Sequence, residues 1–166
     1  FGENKVQEAV EKWTDIKNDF GNIKLHMIGK LQTNKVKYVI PLFDYIHSVD
    51  SLKLAEKISK EQEKKKKLMK LFIQVNIGNE KQKSGVLIEE LNNFYDKCTK
   101  SLDLNIIGLM CLPPNEKSSS IYFSKLQQLA YNLKLKEISM GMSEDYLEAL
   151  EFKATYLRIG SKIFGE

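Results

Sequence analysis

The stretch 138-ISMGMSEDYLEALEFKATYLRIGSKIFG-165 decides how the rest of the chain is read. It divides into an apolar lead-in from Ile138 to Met140, a Ser/Gly/Met turn, an acidic helix start at Glu144, an amphipathic helix, and a short strand from Tyr156 to Ile159 that runs into Gly160-Ser161. Two turns of special chemistry therefore each follow a strand, with Arg158 between them. Such turns present backbone N–H groups and hydroxyls, which is what an anion such as phosphate requires. The segment reads as a holder for the phosphate and ring of a phosphorylated cofactor.

Working outward, the same strand-then-helix alternation fills the chain. Phe1-Gly2-Glu3-Asn4 reads as the tail of a strand, and Val6, Ala9, Val10, Trp13 and Ile16 recur at helical spacing. Leu25 to Gly29 is a short buried strand, and a helix opened by Gln32-Thr33-Asn34 ends near Pro41. Strands at Tyr45–Val49, within Leu68–Ile77 (LFIQVNI) and at Leu104–Met110 follow, with a helix from Leu52 to about Lys66, another around Leu87, Leu91, Phe94 and Tyr95, and a third after the Ser118–Ser120 turn. No two consecutive strands are close enough for a hairpin. Short apolar strands separated by helices predict a parallel sheet with covered faces.

Seven strand signals, no Gly-rich dinucleotide turn after any of them, and a (β/α)8 requirement of eight strands favour a TIM barrel over an open doubly wound sheet. The chain starts at Phe1 rather than Met and shows no basic-then-apolar leader. It reads as an internal fragment, a single barrel domain over 1–166 whose first strand lies upstream. In a barrel, chemistry collects at the C-terminal ends of strands. Asn4, His26–Gly29, Asp50, Asn76, Met110–Leu112, Ser139–Ser143 and Arg158–Ser161 are all placed there by this reading.

Composition excludes several classes. The 166 residues are 42% hydrophobic and 29% charged, enough for one sizeable core, and no apolar run approaches the roughly 20 residues of a membrane span. Two cysteines, Cys98 and Cys111, are too few for a disulfide framework or metal cluster and read as reduced cytoplasmic thiols. The net charge of +4 comes largely from Lys64–Lys67, a solvated helix end rather than a nucleic-acid face. No Ser-His-Asp set, metal spacing or phosphate-binding P-loop is visible.

The motifs FGEN, HMIGKLQTNK, HSVD, SGV after a polar loop, GLM with a nearby PP, SMGMSEDYLEAL and RIGSKIFG, in this order from Phe1 to Gly165, resemble the pyridoxal phosphate homeostasis proteins. These are single-domain barrels similar to the N-terminal domain of alanine racemase. The resemblance implies pyridoxal 5′-phosphate (PLP) as cofactor, a Schiff-base lysine on a strand upstream of FGEN, and a role in buffering and delivering the cofactor, PLP-dependent apoenzymes being possible recipients, without a defined catalytic reaction. It implies a cytoplasmic monomer or homodimer with no nucleic-acid or membrane partner. Carried over by position, Ser143, Gly160 and Ser161 bind phosphate, Arg158 faces the pyridine nitrogen, Asn4 lies near the ring substituents, and His26, Met110, Met142 and Ile159 complete the pocket. Leu25 stands where the family usually has an aromatic residue, and Lys153 where it often has glycine.

Residue chemistry bears on these roles independently. Arg158 stays protonated, so it can donate to a ring nitrogen without supplying a proton, which suits a holder of cofactor better than a versatile enzyme. The alternative for Arg158 is an ion pair with Glu137 or Asp145. Ser143 also fits an ordinary helix N-cap, and Glu144-Asp145 would repel a phosphate unless they turn away. His26 is either a pocket or a core imidazole, and His47 reads as an inner-layer residue. The competing function is a racemase-like PLP enzyme on the same barrel.

Overall fold

Short apolar runs produce the strands, which are two to six residues long, and 3.6-residue spacing produces the helices between them. The computed structural model describes residues 1–114 and 118–165. Its strands are β1 (Gly2–Glu3), β2 (His26–Met27), β3 (Tyr45–Val49), β4 (Lys70–Val75), β5 (Ile106–Cys111), β6 (Glu137–Met142) and β7 (Tyr156–Arg158). Its helices are α1 (Val6–Asp19), α2 (Val36–Leu42), α3 (Leu52–Lys65), α4 (Leu91–Asp96), α5 (Ser120–Asn132), α6 (Tyr146–Glu151) and α7 (Ser161–Phe164). Each strand pairs in parallel with its successor in sequence, giving one seven-stranded sheet in the order β1 to β7.

The sheet is rolled into a nearly closed barrel. At about 4.8 Å per strand, β3 and β6 in a flat sheet would stand roughly 14 Å apart. Instead His47 Nδ1 on β3 lies 2.8 Å from Ser139 Oγ on β6, and the His26 ring on β2 lies 5.8 Å from the Tyr156 ring on β7. Alternate side chains then face two different environments. Met27, Ile46, Leu71, Ile73, Val75, Leu109, Ile138 and Met140 join Ala9, Val36, Ile40, Leu54, Ile58, Leu91, Phe123 and Leu126 in the core between sheet and helices. Each of the Val, Leu, Ile, Met and Phe side chains among these contributes about 1.5–3 kcal/mol when taken from water. The other face of the strands fills the barrel interior with His26, Tyr45, His47, Phe72, Ser139 and Tyr156.

Two lysines end α2. Lys17 Nζ donates to the Leu42 carbonyl at 2.6 Å and to Asp44 at 2.7 Å, while Lys67 Nζ donates to the carbonyls of Pro41 at 3.0 Å and Phe43 at 2.6 Å. The last carbonyls of a helix lack intrahelical partners, and cations satisfy them while matching the helix dipole. Lys67 is thus withdrawn from the basic run that reads as a solvated patch. Burial lowers its pKa. Lys66 closes α3 in the left-handed conformation, φ 50°. The helix predicted to start at Glu144 starts at Tyr146, because residues 142–145 form a turn in which the Met142 N–H binds the Asp145 carboxylate at 2.7 Å.

Candidate functional site

Strands β6 and β7 deliver the two special turns to one place on the C-terminal rim. Met142 is in register with Arg158 across the pair, after an irregularity that follows Ser139↔Tyr156. The turn after β6 depends on Gly141. Its φ of +87° is left-handed, and an added Cβ would lie 2.6 Å from the Ala149 Cβ of α6. Beyond it Ser143 is buried, and its Oγ accepts the Gly160 N–H at 3.2 Å and the Lys162 N–H at 3.5 Å. The serine does not cap its own helix. It ties the turn after β6 to the first turn of α7, gathering a hydroxyl and two backbone N–H groups. Gly160 is open on its outer side, where an added Cβ would meet nothing within 4 Å, so packing does not demand glycine there.

The acidic residues beside this cradle are turned elsewhere. Asp145 binds the Met142 N–H and accepts from Ser119 Oγ at 3.0 Å. Glu148 accepts from the N–H groups of Ser119 and Ser120 and from the hydroxyls of Ser118 and Ser120, capping α5 from across the helix layer. These hydrogen bonds hold its carboxyl below the usual carboxylate range. Glu144 is exposed.

Arg158 makes no ion pair among the described residues. Its Nη1 donates to Ser139 Oγ at 2.7 Å and its Nη2 to the Cys111 carbonyl at 2.8 Å, bracing the guanidinium across β5, β6 and β7. Its Nε–H has no acceptor among the described residues. Burial lowers the guanidinium pKa, with the Cys111 thiol and Asp145 opposing the shift. Arginine remains protonated even so. Cys111 itself is a thiol pushed up to about 12 by burial, which leaves it inert as a nucleophile at neutral pH. Behind Arg158, Ser139 Oγ meets His47 Nδ1, and His47 Nε2 lies 3.0 Å from His26 Nδ1. The imidazoles stack on neighbours, His47 on Phe72 at 4.2 Å and His26 on Tyr45 at 4.0 Å. Burial pushes the His47 imidazole down to about 2, with His26 and Arg158 adding, and the His26 imidazole down to about 4.

Of the residues singled out in the sequence, Met142, Ser143, Arg158, Ile159, Gly160 and Ser161 come together on two adjacent units. Met110 is fully buried on β5, beside Ser139 in register. Met142 is 43% exposed at the rim. Asn4 is exposed just past β1. His26 is paired with Tyr45 at the start of β3, in the lower half of the interior, and reaches the rim only through His47 and Ser139. Sequence reasoning passed over Ser139 and the Cys111 carbonyl as partners of Arg158. The alternation Ile138-Ser139-Met140 carried the signal, since it turns Ser139 inward. The polar loop from Gly78 to Lys83 is tied down by paired Asn76–Glu80 hydrogen bonds and a parallel bridge between Val75 and Val86. Lys83 is engaged by Glu80 at 2.7 Å and the Pro113 carbonyl at 3.2 Å. Among the described residues no cluster of metal-ligating side chains occurs, and no helix is long and apolar enough to cross a membrane.

The rolled parallel sheet is that of the alanine racemase N-terminal domain class, whose family profile matches residues 1–166. Within that class the chain belongs to the pyridoxal phosphate homeostasis protein family. It is 39% identical over 175 residues to the pyridoxal phosphate homeostasis protein of Aquifex aeolicus, covering 100% of this chain and 76% of that one. It also superposes with a TM-score of 0.91 on PipY of Synechococcus elongatus with PLP bound, at 32% identity, covering 99% of this chain and 81% of that one. Alanine racemase from Corynebacterium glutamicum shares the fold at a TM-score of 0.70 and 15% identity, over 100% of this chain and 47% of that one.

Proposed function

We propose that this chain binds pyridoxal 5′-phosphate at the rim of β6 and β7 and serves in vitamin B6 homeostasis, storing the cofactor and passing it to apoenzymes in the cytoplasm. One observation carries the reading: the Ser143 hydroxyl and the Gly160 and Lys162 N–H groups converge two residues beyond a half-buried arginine braced by both Nη groups. The donors fit the group. Hydroxyl and N–H groups suit a phosphate, which would take over the two long N–H bonds now accepted by Ser143 Oγ, the acidic neighbours Asp145 and Glu148 are engaged elsewhere, and the open side of Gly160 leaves room for close approach. In this reading Ser143, Gly160 and Ser161 hold the phosphate, Arg158 donates to the pyridine nitrogen, and Asn4, Met110, Met142, Ile159 and, from below, His26 shape the surroundings.

When bound, the cofactor supplies an aldehyde and an electron-withdrawing ring. Arg158 limits the second property, because a guanidinium donates a hydrogen bond to the ring nitrogen but keeps its proton. The ring stays neutral and is a weak electron sink, which supports a carrier over an amino-acid-transforming enzyme. Equilibrium titration with PLP, followed by absorbance, tests the binding. Saturable binding competed by inorganic phosphate and weakened about 10- to 100-fold in Ser143→Ala and Arg158→Gln is expected, the range for losing a hydrogen bond to a charged group. Binding unchanged in both variants would overturn the assignment. Incubation with L-alanine tests the carrier role, and turnover to D-alanine at ordinary enzyme rates would defeat it.

A further inference from the structure

We propose that Ser139 and His47 are positioning residues for Arg158, holding its guanidinium through a hydrogen-bond chain of a single polarity that ends at His26. The inference rests on the PLP-binding reading only for what Arg158 does. The chain itself is a property of the protein.

The interior of a parallel barrel is ordinarily filled by branched aliphatic side chains. Here the column from rim to floor is Arg158, Ser139, His47 and His26, with contacts of 2.7, 2.8 and 3.0 Å in that order. Ser139 is fully buried and His47 is 1% exposed, so water does not substitute for a missing partner. The direction of each bond follows from the first. Arginine only donates, so Ser139 Oγ accepts from Nη1. The serine hydrogen then has one acceptor among the described residues, His47 Nδ1. The reverse arrangement, with His47 Nδ1–H donating, would leave that hydrogen buried and unpaired, which is costly. His47 is therefore protonated on Nε2, which makes it the donor to His26 Nδ1, and His26 in turn carries its proton on Nε2.

Electrostatics favour the same order, since every lone pair in the chain points toward the guanidinium charge. The groups facing the histidines are Arg158 above, the rings of Tyr45, Phe72 and Tyr156 at the sides, and Lys70 and Asp44 near the floor. Both imidazoles stay neutral at physiological pH, so the chain keeps its polarity. With Nη1 held by Ser139 and Nη2 by the Cys111 carbonyl, the guanidinium plane is fixed and the Nε–H edge is left for a ligand. Removing an acceptor further down frees Ser139 to rotate, and Arg158 loses one of its two anchors.

Nitrogen-15 NMR of the ligand-free protein, run beside PLP titration of His47→Leu, His47→Asn and Ser139→Ala, tests this. Both histidines are expected as Nε2–H tautomers at pH 7, and Arg158 is expected to show slowly rotating, exchange-protected Nη groups. His47→Leu and Ser139→Ala should average those Nη signals, weaken PLP binding about tenfold and shift the absorbance maximum of the bound cofactor. His47→Asn, whose side-chain oxygen still accepts from Ser139, should restore the Nη signals and bind within about twofold of the parent. An Nδ1–H tautomer at His47 would overturn the chain, as would parental Nη signals and PLP spectrum in a folded Ser139→Ala. If the tautomers are as expected but the parent protein binds no PLP, the positioning chain stands and the cofactor reading falls.

Discussion

At Arg158 the sequence offers only a charge between two turns, and the structure supplies the geometry that makes arginine irreplaceable. A fork with two Nη groups reaches the Ser139 hydroxyl and the Cys111 carbonyl at once, and a lysine ammonium on a single stem cannot. Arg158→Lys should lower stability by about 1–3 kcal/mol, read as the urea midpoint at constant slope, because one buried acceptor loses its donor. The histidines make a pH prediction. Their folded values, about 4 for His26 and about 2 for His47, lie below the unfolded value near 6.5, so the unfolded chain binds protons first as pH falls. The stability present above pH 6.5 is lost below it, on the order of 2 kcal/mol by pH 5 for the buried His47 and less for the half-buried His26, whose shift is screened by solvent. Asp44 and Glu148, whose folded pKa values are depressed, lose their contributions only at lower pH, and the chain has two histidines in all. Urea midpoints at pH 7.5 and pH 5 should therefore differ in the parent and converge partway in His47→Asn. Arg158, Ser143 and the glycine turn were legible because each breaks an apolar pattern at a strand end. Ser139 was legible as an inward-facing serine from the alternation Ile138-Ser139-Met140, but not as a partner of Arg158, because that pairing depends on the rolled sheet.

At the scale of elements, the strands and helices follow the hydrophobic periodicity closely, and the differences sit at the ends. Capping decides those ends, and here the caps come from distant segments that a local reading cannot see. Glu148 on α6 serves the first turn of α5, almost 30 positions back in sequence. Glu148→Ala should cost about 1 kcal/mol and lower the melting temperature by a few degrees, with the loss concentrated in hydrogen exchange at the start of α5. The end of α6 has the opposite character. Lys153, where the family resemblance leads to an expectation of glycine, adopts φ 62°, with its N–H on the Leu150 carbonyl. A side chain in that region costs about 1–2 kcal/mol, partly offset by the greater unfolded-state entropy of glycine. Lys153→Gly should raise thermal stability by up to about 1 kcal/mol, checked by calorimetry, and leave PLP binding unchanged.

For the molecule as a whole, fold class was readable because seven apolar segments alternate with helical ones, and parallel pairing leaves a short list of architectures. The direction in which side chains share the interior was not readable, since it depends on closure of the sheet. That closure has a consequence for how the chain acquires its shape. Every strand lies beside the one made just before it, so a nascent polypeptide leaving the ribosome can add each segment to an existing edge without waiting for later sequence. The bond between His47 and Ser139 spans 92 positions and cannot form until six strands have been synthesised. Assembly is then expected to proceed by local growth followed by one late long-range event, and the Arg158 anchorage to mature last of all.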